Sequence, residues 1–94
     1  MTNPKIDKYD NKRWFNNAAE LHREDGPALE YKNGSKAWLI NGKLHRLDGP
    51  AREWTNGTCF YFINNEWLTK DEWIVHPLRI EYIIQENLKS ILHD

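Results

Sequence analysis

Two stretches of the chain repeat one another and decide its fold. The first is Leu21-His22-Arg23-Glu24-Asp25-Gly26-Pro27-Ala28, and the second is Leu44-His45-Arg46-Leu47-Asp48-Gly49-Pro50-Ala51. All but one of these positions are identical, and the offset of 23 residues continues beyond them, so that Asn33-Gly34 matches Asn56-Gly57. Self-similarity at a fixed period is the signature of a repeat architecture. We therefore place repeat units at 21–43 and 44–66, within an array that spans 9–68.

The repeat unit is predicted to be β-structure. Asp-Gly, Asn-Gly and Asn-Asn pairs recur every seven or eight residues between Asp25 and Asn65. Asn-Gly between apolar runs is the strongest short-range signal for a β-hairpin, because a type I′ turn needs positive φ at both central residues. Strands are expected between the turns, over 27–31, 36–40, 50–54 and 59–63. The array therefore predicts a mainly β fold, an antiparallel meander of β-hairpins.

The hydrophobic period changes after residue 68. Thr69-Lys70-Asp71-Glu72 has the pattern of a helix capping box, and Pro77 suits the first position of a helix. An apolar stripe at helical spacing follows, which predicts a C-terminal amphipathic α-helix within a helical segment over 69–94. Its principal residues are Ile80, Ile84, Leu88 and Ile91.

This stripe has two interpretations. It caps the exposed end of the sheet, or it forms a homodimer seam in which Asn87 fixes the register. At the other end of the chain, residues 1–8 are polar and are predicted to form a flexible N-terminus.

Composition and charge narrow the classes of function. Thirteen basic and 14 acidic residues give a formal net charge of -1, which argues against nonspecific nucleic-acid binding, since that needs a strong basic field. The single cysteine excludes an internal disulfide. No apolar run has membrane-spanning length, and the first residues have no apolar signal region. We expect a cytoplasmic protein without a membrane span.

The repeated His-Arg-x-Asp-Gly-Pro-Ala loops are the candidate binding site. His22, Arg23, His45 and Arg46 could hold phosphate or carboxylate groups, while Trp38 or Trp54 stacks on a flat ligand. In the alternative, the loops are structural: Asp-Gly makes a turn, and Arg pairs with the Asp two residues further on. The sequence leaves both interpretations open.

A catalytic set is not recognisable in the sequence. Ser35 and Ser90 fit no nucleophile motif, and His22 and His45 have no cysteine or helical His-x-x-x-His to complete a zinc site. We expect no enzymatic activity, no cofactor and no metal.

The 23-residue hairpin repeat with aromatic strands and Asn-Gly turns resembles the MORN repeat, in its divergent variant. The strings at 21–28 and 38–43, and the ending at 61–73, resemble those of small MORN-like proteins of tailed bacteriophages and large DNA viruses. MORN arrays act as scaffolds, dimerisation modules and surfaces that contact lipids or proteins. The resemblance therefore implies binding rather than catalysis.

Two hypotheses for the function follow. In the first, the protein is a phage accessory or counter-defence protein that inhibits a host protein by direct contact in the bacterial cytoplasm. In the alternative, it is a sponge that sequesters a nucleotide-derived, phosphate-containing immune signal, with Arg23 and Arg46 on the phosphates and Trp38 or Trp54 on the base.

Overall fold

The structure, a computed structural model, describes residues 3–92. Its elements are β1 (Lys5–Ile6), β2 (Lys12–Arg13), β3 (Leu29–Glu30), β4 (Lys36–Ala37), β5 (Leu39–Ile40), β6 (Lys43–Leu44), β7 (Arg52–Glu53), β8 (Cys59–Ile63), β9 (Glu66–Leu68), α1 (Lys70–Ile74) and α2 (Pro77–Leu92). The predicted fold class, an antiparallel hairpin meander with a C-terminal helix, is confirmed. Met1, Thr2, His93 and Asp94, which the sequence assigned to the flexible N-terminus and the helical segment, lie outside the described residues.

Seven strands form one antiparallel sheet in the order β1-β2-β3-β4-β7-β8-β9, and β5 pairs with β6 in a separate hairpin. The strand expected over 36–40 is divided at Trp38. The N–H of Trp38 donates to the carbonyl of Ala51 (2.8 Å), whereas its carbonyl accepts from His45 (3.1 Å). The chain therefore leaves the main sheet at Trp38 and enters the second hairpin.

The first strand lies in the segment that was expected to be flexible. Lys5 pairs with Arg13 and Ile6 with Lys12 at the edge of the sheet. A strand of two residues is too short to show the alternation of polar and apolar residues by which strands are recognised. Lys5–Ile6 therefore pairs with β2 within the segment 1–8, a pairing that the sequence did not indicate.

Equivalent hydrogen bonds recur within each unit of the array. The N–H of Arg23 donates to the carbonyl of Leu39 at 3.1 Å, and 23 residues later the N–H of Arg46 donates to Phe62 at 3.2 Å. In the main sheet, the N–H of Ala28 donates to the carbonyl of Ala37, and the N–H of Ala51 donates to Phe60, each at 2.9 Å; both alanines are fully buried. The repeated sequence thus encodes a repeated pattern of backbone pairing.

The Asn-Gly pairs form two kinds of turn. Asn41 and Gly42 have φ of 48° and 78°, as the prediction of type I′ turns requires. At Asn33-Gly34 only the glycine has positive φ, 96°. The Gly34 N–H there donates to the carbonyl of Tyr31, and the Asn33 side chain accepts from the Ser35 N–H.

The turn at Asn33-Gly34 is therefore not type I′. It is a longer loop that closes with one left-handed glycine, and the Asn side chain replaces part of the backbone pairing.

Helix α1 closes the C-terminal end of the array. The predicted capping box is confirmed: the Thr69 hydroxyl accepts from the Glu72 N–H at 3.1 Å, and the Glu72 carboxylate accepts from the Thr69 N–H at 2.9 Å. Trp73 of this helix is buried together with Ile63 and Leu68 in a small apolar core. Its indole N–H donates to the carbonyl of Arg46 at 2.9 Å.

Helix α2 begins at Pro77 as predicted, but it contains no buried residue. Arg79 attaches it to α1, with the guanidinium 4.3 Å from the centre of the Trp73 ring and a hydrogen bond to the carbonyl of Ile74 at 3.0 Å. The expectation that the apolar stripe caps the sheet is wrong, because α1 covers that end and the stripe stays exposed. Neither α1 nor α2 is long and apolar enough to cross a membrane.

Candidate functional site

The Arg46 guanidinium is held from several directions, by its own repeat unit and by the preceding one. Its Nε donates to Asp48 at 2.9 Å, while one terminal nitrogen donates to the carbonyl of Pro50 at 3.0 Å and to the Glu53 carboxylate at 3.2 Å. The Arg46 Cζ lies over the ring of Trp38, in the preceding unit, 3.8 Å from its centre. The side chain therefore acts as a clamp that holds its own loop and contacts the preceding unit.

Arg23 repeats this arrangement almost atom for atom. It donates to Asp25 at 2.9 Å, to the carbonyl of Pro27 at 3.2 Å and to Glu30 at 3.3 Å, and it lies 4.0 Å from the centre of the Trp14 ring. The hydrogen bond from Arg23 lowers the pKa of the Asp25 carboxyl below its usual value.

Arg23 and Arg46, which were predicted to bind phosphate, are already paired with carboxylates of the protein itself. Each guanidinium already contacts two carboxylates, and a phosphate would have to compete with them for the same donors. The ring of Trp38, which was expected to stack on a base, is already covered on one face by Arg46. The geometry thus favours the structural interpretation of the loops and gives the sponge hypothesis no support.

The glycine of each loop makes room for the arginine. A Cβ at Gly49 would lie 2.7 Å from the Arg46 Cζ, and one at Gly26 would lie 2.9 Å from the Arg23 Cζ. Neither glycine is among the residues with positive φ. The Asp-Gly pairs are therefore needed for the close approach of the guanidinium rather than for a type I′ turn.

The two histidines bind backbone groups of the neighbouring hairpin. Nδ1 of His22 accepts from the N–H of Asn41 at 2.9 Å, and Nδ1 of His45 accepts from the N–H of Asn64 at 3.1 Å. An imidazole that accepts at Nδ1 must be neutral, with its proton on Nε2. Burial is the main factor that lowers the pKa of His45 below 6.5, and the nearby His76 adds to it.

An open groove lies beside each clamped arginine, where one repeat unit meets the residues that precede it. The first has a volume of about 480 Å³ and is lined by Trp14, Phe15, Asn16, Asn17, His22, Arg23, Glu24 and Asp25. The second has a volume of about 260 Å³ and is lined by Arg23, Glu24, Trp38, Ile40, His45, Arg46, Leu47, Asp48 and Tyr82. Five of the six predicted site residues therefore line these grooves.

The sixth predicted residue, Trp54, lies elsewhere. It lines neither groove, and it stands at a hairpin end with the Arg52 guanidinium 5.9 Å from its ring. The structure therefore does not bring Trp54 together with the His-Arg loops.

Tyr82 is a groove residue that the sequence did not indicate. It lies on α2 away from the apolar stripe, so helical periodicity gives no reason to select it. Burial, and then the Asp48 carboxylate, raise the pKa of its hydroxyl above 10.0. Trp14 was also missed as a site residue, although it lies within the array that the sequence places at 9–68.

The apolar stripe of α2 is a second candidate surface. Ile80, Ile84, Leu88 and Ile91 are between 44% and 68% exposed. They follow one another at intervals of four, four and three residues, so they share one face of the helix. An aligned apolar row of this kind is typical of protein interaction surfaces.

Among residues 3–92, no group of three or more His, Cys, Asp and Glu side chains could hold a metal ion. Comparisons with protein families, with curated proteins and with solved structures each found no match.

Proposed function

We propose that this protein is a non-enzymatic binding module that presents α2 to a partner protein. The observation that carries the proposal is the exposed stripe of Ile80, Ile84, Leu88 and Ile91 on a helix whose other side is anchored to the cap. Such a row is the arrangement by which an amphipathic helix enters an apolar groove of another protein. At a rise of 1.5 Å per residue, the stripe from Ile80 to Ile91 offers a contact about 17 Å long.

The hairpin array serves as the scaffold for this helix. Trp73 is buried in the array, and Arg79 fixes the beginning of α2 against it. Because the helix is already formed and attached, binding costs less conformational entropy than the folding of a free peptide would.

The resemblance to MORN-like proteins of bacteriophages extends the proposal to the kind of partner. In this extension the partner is a host protein, contact with α2 inhibits it, and the complex forms in the bacterial cytoplasm. Pairing of α2 with a second copy of the chain is the alternative, in which Asn87 would set the register.

A matched pair of variants tests this function. Ile84→Asp puts a charge in the stripe, whereas Gln85→Asp puts the same side chain on the next residue, outside it. Both should keep wild-type stability within about 0.5 kcal/mol, since both positions are exposed. We expect bacterial lysate to yield a stoichiometric protein with the wild type and with Gln85→Asp, but not with Ile84→Asp.

Light scattering on the purified chain separates the two kinds of partner. A dimer that Ile84→Asp converts to a monomer would identify a second copy as the partner. The proposal would be contradicted if the chain is a monomer and recovers no protein from the lysates of several hosts. It would also be contradicted if Ile84→Asp and Gln85→Asp recover the same proteins.

A further inference from the structure

The two grooves are built from equivalent residues but are filled differently. The first groove contains Trp14, His22, Arg23 and Asp25. At the equivalent positions, the second groove contains Trp38, His45, Arg46 and Asp48. In the second groove, Tyr82 from α2 forms part of the wall. No residue of α1 or α2 lines the first groove, and its volume is larger, about 480 Å³ against about 260 Å³.

The second groove therefore shows that an aromatic side chain fits beside the clamped arginine. Tyr82 is half-buried beside the clamped Arg46 and close enough to Asp48 for that carboxylate to affect its ionisation. The first groove offers the same surroundings together with a second aromatic residue, Phe15. Aromatic pairs stabilise a contact beyond the area that they bury.

The charges around the first groove define what should flank such an aromatic group. Glu24 occupies the repeat position of Leu47 and lines both grooves, and its side chain is 84% exposed. Asp25 is also on the surface, and Glu30 shares Arg23 with it. Asp25 and Glu30 pair with the Arg23 guanidinium, and Glu24 adds a third carboxylate beside His22. Lys5, whose Nζ lies 5.6 Å from the centre of the Phe15 ring, balances only one of the remaining charges. The excess negative charge attracts cationic groups.

We propose that the first groove binds an aromatic side chain, with tyrosine as the reference, that a partner protein presents between lysine or arginine residues. The inference rests on the proposed function, because it gives the partner a point of attachment besides α2. It adds the chemistry of that partner: an aromatic residue in a basic segment.

Short peptides test the groove directly. The probes are Lys-Lys-Tyr-Lys-Lys, the same peptide with alanine at the centre, and Glu-Glu-Tyr-Glu-Glu, each titrated into the ¹⁵N-labelled full chain. The basic tyrosine peptide should shift the Trp14 indole signal and the amide signals of 15–17 and 22–25. The alanine peptide should bind about fivefold more weakly, and the acidic peptide more weakly still.

Charge reversal at the rim provides the matched variants. Glu24→Lys should weaken the basic tyrosine peptide about fivefold, whereas Glu66→Lys, at an exposed position of β9, should not change its affinity. Signals that shift elsewhere, equal affinities for the tyrosine and alanine peptides, or no shift at millimolar peptide would each overturn the inference.

The same titration on Ile84→Asp separates this inference from the proposed function. That variant should bind the basic tyrosine peptide like the wild type, because Ile84 does not line the groove. If the peptide binds the groove but Ile84→Asp does not change the recovery of a partner from lysate, only the role of α2 is refuted. If Ile84→Asp abolishes that recovery but the peptide does not bind the groove, only the groove proposal is refuted.

Discussion

The Arg46→Lys substitution tests whether the repeat loops are held by the shape of the guanidinium or merely by its charge. Lysine keeps the positive charge but has no planar fork to donate to several acceptors and to stack on a ring. Arg46 is chosen over Arg23 because its side chain is less exposed, 19% against 24%, and lies closer to its tryptophan ring, 3.8 Å against 4.0 Å from the centre.

The expected loss of stability follows from the contacts that lysine cannot keep. Losing the bond to the carbonyl of Pro50 costs about 1 kcal/mol. Losing one of the two half-exposed carboxylate contacts costs about 0.5 kcal/mol. The weaker cation–π contact with Trp38 costs about 0.5 kcal/mol more. Arg46→Lys should therefore lower the free energy of unfolding by about 2 kcal/mol.

Urea denaturation followed by tryptophan fluorescence measures this loss as a lower midpoint with an unchanged slope. A thermal melt should show a decrease in Tm of about 10 °C for a domain of this size. Arg52→Lys is the control, because the Arg52 guanidinium lies 5.9 Å from the Trp54 ring and makes no side-chain hydrogen bond within residues 3–92. If Arg46→Lys is as stable as Arg52→Lys, the clamp does not hold the loop.

Three further changes probe other parts of the fold. Gly49→Ala should destabilise the protein by about 1–3 kcal/mol, since its Cβ would lie 2.7 Å from the Arg46 Cζ; equal urea midpoints would contradict the close approach. Thr69→Ala should cost about 1 kcal/mol through the lost cap, whereas Thr69→Ser should restore most of it in the same assay. The pKa of His45 is lower in the folded protein than in the unfolded chain, so the unfolded chain binds a proton first as the pH falls. The contribution of neutral His45 to stability is therefore complete above pH 6.5 and declines as the pH falls below that value. The wild type should therefore lose more stability than His45→Gln in urea titrations between pH 8 and pH 5.5, and parallel curves would show that the bond to Asn64 does not depend on ionisation.

The repeat and the class of fold could be predicted from the sequence because both depend on local signals. The 23-residue offset fixes which backbone groups are equivalent, and the pair Asn41-Gly42 has the φ values that a type I′ turn requires. The capping box at Thr69 is a pattern of four neighbouring residues, so it needs no knowledge of tertiary packing.

The function of the loops and of α2 could not be read in the same way. Whether Arg46 is free or clamped depends on Glu53, which lies seven residues away and reaches it only through the fold of the strands. An apolar stripe shows that α2 has a face to cover but not what covers it. Trp73 covers the end of the sheet instead. Because it is a single aromatic residue in a five-residue helix, no periodic pattern in the sequence indicates this contact.

The end of the array shows how such a protein could change its length. In the two preceding units an arginine covers the tryptophan ring, whereas Trp73 covers Tyr61, with ring centres 4.7 Å apart. Helix α1 contacts the last unit through Tyr61, Leu47 and the carbonyl of Arg46. A tandem duplication of 21–43 would meet the same hydrogen bonds on both sides and leave these contacts unchanged. The scaffold can thus grow in steps of one unit, each of which adds one more groove.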